Sequence, residues 1–366
     1  MNNCWFMDWV EIDGIKFFYS PQLHSIMRMG IKEEAAEIER QLLDAEYSLP
    51  GKYITIKQIE HKLFLLPLHG HSICIYDLKK KNIENLQLDE KARMGYYIFS
   101  SACVGNKIIG VPGRYSKFVI VDGIDNSKIE IEFDKEKLNE NKMKKDRLVY
   151  FTRSNYVHND ILFVGSLLNN YIVSISLNSY QVKYYEIECI DEQKKGIYTL
   201  CGNGKELYVL GNDSNLRIYE ILQGELFLKK IINILYTPSN SDVYANSLYI
   251  NGKMNIFSNT GIIICDIYSG KVRKCTLDIK NKVDSVVNSI GFLYAQKSNN
   301  IIRTMSANDF VEYSFDEDMN IIGEKQYYVD EDKLDEVYPC LLVKEQREIY
   351  IKKLNFFINC LKNKKI

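Results

Sequence analysis

Short apolar runs bounded by turn residues recur along this chain, the pattern of strands that bury their side chains against neighbouring layers. Between residues 53 and 88 four runs follow one another: Tyr53-Ile-Thr-Ile, Lys62-Leu-Phe-Leu-Leu, Ser72-Ile-Cys-Ile-Tyr-Asp and Ile83-Glu-Asn-Leu-Gln-Leu. They predict a four-stranded meander. The same order returns at Lys107-Ile-Ile-Gly-Val-Pro with Phe118-Val-Ile-Val-Asp, and at Ile161-Leu-Phe-Val-Gly with Tyr171-Ile-Val-Ser-Ile-Ser. It returns again at Glu206-Leu-Tyr-Val-Leu with Leu216-Arg-Ile-Tyr-Glu, and at Met254-Asn-Ile-Phe with Ile262-Ile-Ile-Cys-Asp. Aligning second strands on Phe17, Phe64, Ile109, Phe163, Tyr208, Ile256 and Leu293 gives steps of about 45 residues, the length of a four-stranded repeat unit. Third strands close on Asp77, Asp122, Ser176, Glu220 and Asp266, residue types that start turns by bonding their own backbone.

Two segments break the rhythm. Lys32-Glu-Glu-Ala-Ala-Glu-Ile-Glu-Arg-Gln-Leu-Leu is helical in composition, so residues 32–44 read as a helical insertion in the first unit. Val343, Tyr350, Leu354, Phe357 and Leu361 fall at helical spacing. Residues 331–366 therefore read as a C-terminal helix packed on a repeat domain spanning 1–330, with a strand at Glu348-Ile-Tyr-Ile as the other reading.

Composition supports strands throughout. Of 366 residues 46% are hydrophobic and 26% charged, the balance of a globular chain, and Tyr (26) and Phe (16) abound where Pro (6) is scarce. A net charge of −1 gives no global field to gather phosphate backbones or anionic lipid, so neither nucleic acid nor membrane insertion is expected. The nine Cys are scattered, none in a C-x-x-C pair, which fits a reducing compartment. The N-terminus lacks the basic and apolar regions of a secretory signal, and a cytoplasmic location is expected.

The repeat resembles β-propellers in the broad sense that includes kelch-like and quinoprotein-like forms, over residues 1–330. The resemblance is one of rhythm. The paired glycines of kelch strands and the Gly-His and Trp-Asp punctuation of WD40 repeats are absent, so no subfamily's residues carry over. It implies an all-β ring of about seven four-stranded antiparallel blades, each covering its neighbour's faces.

Candidate chemistry gathers in the connections. His69-Gly-His71 could ligate a metal with His24 and Asp213, but a bare His-x-His in a loop is more often incidental, and no metal or cofactor is expected. No phosphate-binding or nucleophile-elbow motif occurs. In a ring of blades, the loops joining second to third strands emerge on one face: residues 21–24, 67–71, 112–115, 166–170, 211–213, 258–259 and 295–297. A recognition face there would use His24, His69, His71, Arg114, Tyr115, Asn170, Asp213 and Asn259, with Arg153 and Asn155 from an innermost strand. The reading that follows is a non-enzymatic scaffold binding a protein, peptide or glycan-bearing partner. The alternative is a lyase or hydrolase acting on a carbohydrate or small metabolite over the central channel.

Overall fold

The computed structural model describes residues 2–3, 6–21, 23–30, 33, 35–42, 52–89, 97–138, 149–188, 195–234, 236, 245–258, 261–275, 292, 294–306 and 311–329. Seven sheets follow one another, each containing four consecutive antiparallel strands in sequence order, the first with two further short strands at its outer edge. Blade 1 comprises Trp9–Ile12, Ile15–Ser20, Ser25–Gly30 and Ala35–Gln41; blade 2 comprises Tyr53–Ile59, Lys62–Pro67, Ser72–Asp77 and Ile83–Gln87. Blade 3 runs through Ile98–Val104, Lys107–Pro112, Lys117–Asp122 and Lys128–Glu132; blade 4 through Phe151–His158, Ile161–Ser166, Tyr171–Ser176 and Val182–Glu186. Blade 5 holds Ile197–Asn203, Glu206–Gly211, Asn215–Leu222 and Glu225–Asn233; blade 6 Asn246–Ile250, Lys253–Ser258, Gly261–Asp266 and Val272–Cys275; blade 7 Gln296–Ser298, Ile301–Met305, Val311–Phe315 and Ile321–Gln326.

The order of burial within a blade follows from the sequence. Second and third strands are apolar at nearly every position because both of their faces are covered, whereas outermost strands are largely polar, as in Lys128–Glu132, where polar and apolar residues alternate. The core is consequently divided into seven clusters, one at each interface between neighbouring blades. A Leu or Ile fully buried at such an interface stabilises the ring by about 1.5–3 kcal/mol relative to exposure. Turn chemistry pins the hairpins: the Asp77 carboxylate accepts from the Lys79 and Lys80 amides, and Asp266 does the same for Tyr268 and Ser269.

The ends meet at blade 1. Asn2–Asn3 pairs antiparallel with Tyr328–Val329, which lies parallel to Ala35 and Ala36 of the outer strand of that blade. Phe6 then packs among Phe18, Tyr294 and Tyr327, joining blades 7 and 1.

Two expectations change. The helical insertion over 32–44 is overturned where it is described: Ala35–Gln41 is a strand paired with Ser25–Gly30, its Ala36 buried and Ile38 packed against the core. Helix propensity yields here to an unpaired sheet edge and to the alternation of Ala36 and Ile38. The seventh repeat was aligned one strand early, since Leu293 precedes the innermost strand Gln296–Ser298 and the true second strand is Ile301–Met305. Residues 295–297 are therefore not a loop between second and third strands. The C-terminal segment 331–366 lies outside the described residues.

Candidate functional site

Most of the polar side chains that the sequence placed on the loop face are bonded within the fold. His24 is buried, with the Tyr19 hydroxyl 2.7 Å from its Nδ1. Burial, helped by the nearby Lys52 ammonium, lowers its pKa to about 4, and burial alone does the same for His69. Tyr115 is buried, stacked near Tyr97, and its hydroxyl donates to Glu130. Arg153, also buried, donates from Nη2 to the Met7 carbonyl at 3.3 Å, tying blade 4 to the segment leading into blade 1. The Asn170 carboxamide oxygen accepts from the Gly196 amide at 2.9 Å. Burial pushes the Asp213 carboxyl up, but the Arg217 guanidinium and the Asn215 bonds outweigh it and hold it below the usual carboxylate range. His71 and Arg114 are half-buried in loops of blades 2 and 3, and Asn259 lies outside the described residues. Among the described residues no three His, Cys, Asp or Glu side chains cluster as metal ligands would.

Sequence reading missed a feature of the hub. The innermost strands are seven sheet edges, and an edge leaves backbone donors and acceptors unpaired. Side chains from neighbouring blades bond one another and those groups in an unbroken circuit. Asp8 accepts from the Ile56 amide at 3.1 Å and from Lys57 Nζ at 2.6 Å, linking blades 1 and 2. Ser101 donates to Thr55 Oγ1 at 2.8 Å, and Asn155 donates to Ser100 Oγ and the Ser101 carbonyl. The Ser154 hydroxyl accepts from Thr199 Oγ1 at 2.8 Å and from the Leu200 amide at 3.0 Å. Ser247 lies 2.9 Å from Thr199 Oγ1 and donates to the Leu200 carbonyl. Asn246 reaches the Ala295 carbonyl, and Gln296 donates to Asp8, closing the loop.

Irregular registers at Tyr53/Thr55, Ile98/Ser100, Phe151/Asn155 and Ile197/Thr199 occur where these residues sit, as bulges that redirect side chains do. A signal was present in the chain, because Thr55, Ser100, Ser154 and Thr199 recur at nearly the spacing of the repeat. Asn155, a candidate for ligand recognition, is a member of this belt. Replacing Thr199 by the isosteric Val removes two of its bonds in a fully buried place, and is expected to cost about 1–3 kcal/mol in urea unfolding. A loss below about 0.5 kcal/mol would mean that the belt adds nothing to closure.

The opposite face carries a different surface. Beside the first turn of blade 4 and the last hairpin of blade 5 lies a groove of about 750 Å³, lined by His158, Asn159, Lys205, Leu222, Gln223 and Phe227 among others. The outer strand of blade 5, Glu225–Asn233, is the longest outer strand described, at nine residues. Its Phe227 is 52% exposed, and Leu228, Ile231 and the nearby Leu222 are exposed with it. Lys229 and Lys230 follow in the same strand. Other blades expose single or paired apolar residues, such as Ile321 and Ile322, but among the described residues this strand carries the most, the kind of surface that partners cover.

No family model matches the chain, and no curated protein matches it. Solved structures do match. Hsv2 of Kluyveromyces lactis shares 11% identity, covering 88% of this chain and 99% of its own, with a TM-score of 0.54. A chain of the mitotic checkpoint complex shares 10%, covering 89% and 87%, with a TM-score of 0.55. The chain is a seven-bladed β-propeller. The extracellular domain of the one-component system BT4673 from B. thetaiotaomicron matches at 10% identity and a TM-score of 0.54, over 83% of this propeller and 37% of that chain. At such identities the propeller shares a fold with these proteins and nothing finer.

Proposed function

We propose that this propeller is a cytoplasmic, non-enzymatic scaffold that holds a protein partner on the rim of blade 5, through an apolar segment of that partner. The observation that carries the reading is the exposed apolar edge Leu222, Phe227, Leu228 and Ile231 beside the groove, which Lys205 and Glu225 also line. Large apolar anchors suit a partner that buries Leu or Phe against them, with Lys205 and Glu225 at the groove offering one charge of each sign to its border. Membership of a like-folded chain in the mitotic checkpoint complex supports a scaffold role by analogy of fold. The loop face is the weaker candidate, because Tyr115, Asn155, Asn170 and Asp213 are engaged within the propeller.

The test uses the full chain with a photo-crosslinker introduced at Leu222, in native lysate. A crosslinked partner is identified, and binding is then measured with purified proteins. Phe227→Asp is expected to weaken that binding at least tenfold while leaving the urea midpoint unchanged, since its side chain lies largely in water. Arg114→Ala, on the loop face, is expected to leave binding within twofold. The reverse outcome, loss with Arg114→Ala and none with Phe227→Asp, would move the contact surface to the loops.

A further inference from the structure

Each interface between blades is built from equivalent positions. The second residue of one blade's second strand packs in the same cluster as the second residue of the preceding blade's third strand. Counting blade by blade, these pairs are Ile26 with Leu63, Ile73 with Ile108, Phe118 with Leu162, Ile172 with Leu207, Leu216 with Met254, and Ile262 with Ile302. All twelve side chains are fully buried.

At the interface between blades 7 and 1 the same two positions hold Glu312 and Lys16. They are 3% and 6% exposed. Lys16 Nζ lies 2.9 Å from both Glu312 oxygens and 2.5 Å from the Tyr327 hydroxyl. Tyr294 and Tyr327 donate to the same carboxylate, and the Trp9 ring lies 4.4 Å from the ammonium. Two charges of opposite sign thus replace two apolar residues at the one interface that joins distant parts of the chain.

That interface has a problem the others lack. Chain continuity brings blades 1 to 2 through 6 to 7 together, but nothing covalent brings blade 7 to blade 1. With every interface apolar, the exposed face of blade 7 would accept blade 1 of another molecule, or any transiently uncovered blade, almost as well as its own. We infer that Lys16 and Glu312 form a closure key: their pairing selects blade 1 against blade 7 and penalises every apolar mispairing by leaving a buried charge without its partner. Buried ion pairs add little net stability over apolar residues, so specificity is the property in which the key is to be read.

The decisive variant is Lys16→Leu with Glu312→Leu, which gives the seam the residue type found at the six others. Refolded across a concentration series and followed by size-exclusion chromatography with light scattering, it is expected to stay folded at a urea midpoint somewhat below wild type, because the buried Tyr294 and Tyr327 hydroxyls lose the carboxylate that accepts from them. Its share of chains in swapped or higher assemblies rises at least fivefold over wild type and grows with concentration. Lys16→Glu with Glu312→Lys, which restores opposite charges, brings that share back to within twofold of wild type. Each single reversal alone refolds poorly, and co-refolding equal amounts of the two yields a one-to-one heterodimer whose seams each hold one lysine against one glutamate. A double-Leu chain that closes as faithfully as wild type overturns the inference. So do single reversals that both refold with wild-type yield, a readout that holds even if the double-Leu chain does not fold.

Discussion

An Asp213→Ala chain is expected to lose about 3–5 kcal/mol of folding stability, because it strands a buried guanidinium. Arg217 is fully buried in the third strand of blade 5 and meets the Asp213 carboxylate with both terminal nitrogens, Nη1 at 3.0 Å and Nη2 at 2.6 Å. Arg217 also donates to the carbonyls of Asn215 and Glu188, which carry no charge. Removing Asp213 therefore takes from a buried ion the carboxylate that meets it with both oxygens, a far greater loss than that of an exposed pair. Adding Arg217→Met to Asp213→Ala removes the stranded charge and is expected to recover more than half of the loss. Urea unfolding of the four chains in this cycle separates the coupling from the individual truncations. A cost below about 1 kcal/mol for Asp213→Ala would return Asp213 to the loop face as a ligand-binding carboxylate.

Between pH 7 and pH 5 the propeller is expected to lose about 3 kcal/mol of stability, mainly through His24 and His69. Both have folded pKa values lowered to about 4, against the 6.5 of an exposed histidine. Below pH 6.5 the unfolded chain takes up protons that the folded chain refuses, so acid favours unfolding. The contribution is fully present above pH 6.5 and is lost progressively as the pH falls toward 4. At pH 5 each histidine accounts for about 1–2 kcal/mol. His24 has a backbone φ of 50°, a conformation Asn tolerates better than most residues, so His24→Asn removes its titration with little strain. His69→Gln does the same for the second. The double variant is expected to show a urea midpoint nearly constant from pH 7 to pH 5, and a wild-type slope in it would assign the acid sensitivity to other groups.

The rhythm of the blades was readable because packing between blades demands apolar side chains at fixed steps. Phe17, Phe64, Ile109, Phe163 and Tyr208 all occupy the third position of their second strands. In blade 6 the anchor Ile256 is one residue late, since the equivalent position holds the buried Asn255 and the apolar signal shifts past it. In blade 7 the inner strand is three residues long, too short to register, and the alignment slid onto Leu293. The first outer strand misread as helix because Ala and Glu dominate Ala35–Gln41, although Ala36 and Ile38 already alternate as an edge strand requires.

What the sequence determined by itself is the repeated unit: local hydrophobic alternation and turn-forming acids act over a few residues, and they are written out in full within each repeat. Which polar side chains meet was decided only by the closed ring. Lys16 and Glu312 stand nearly the whole repeat array apart in the chain, and the links of the hub belt join residues one repeat or more apart. Their partnership depends on seven units curving far enough to bring the last against the first, a property of summed rotations that no local pattern of residues expresses.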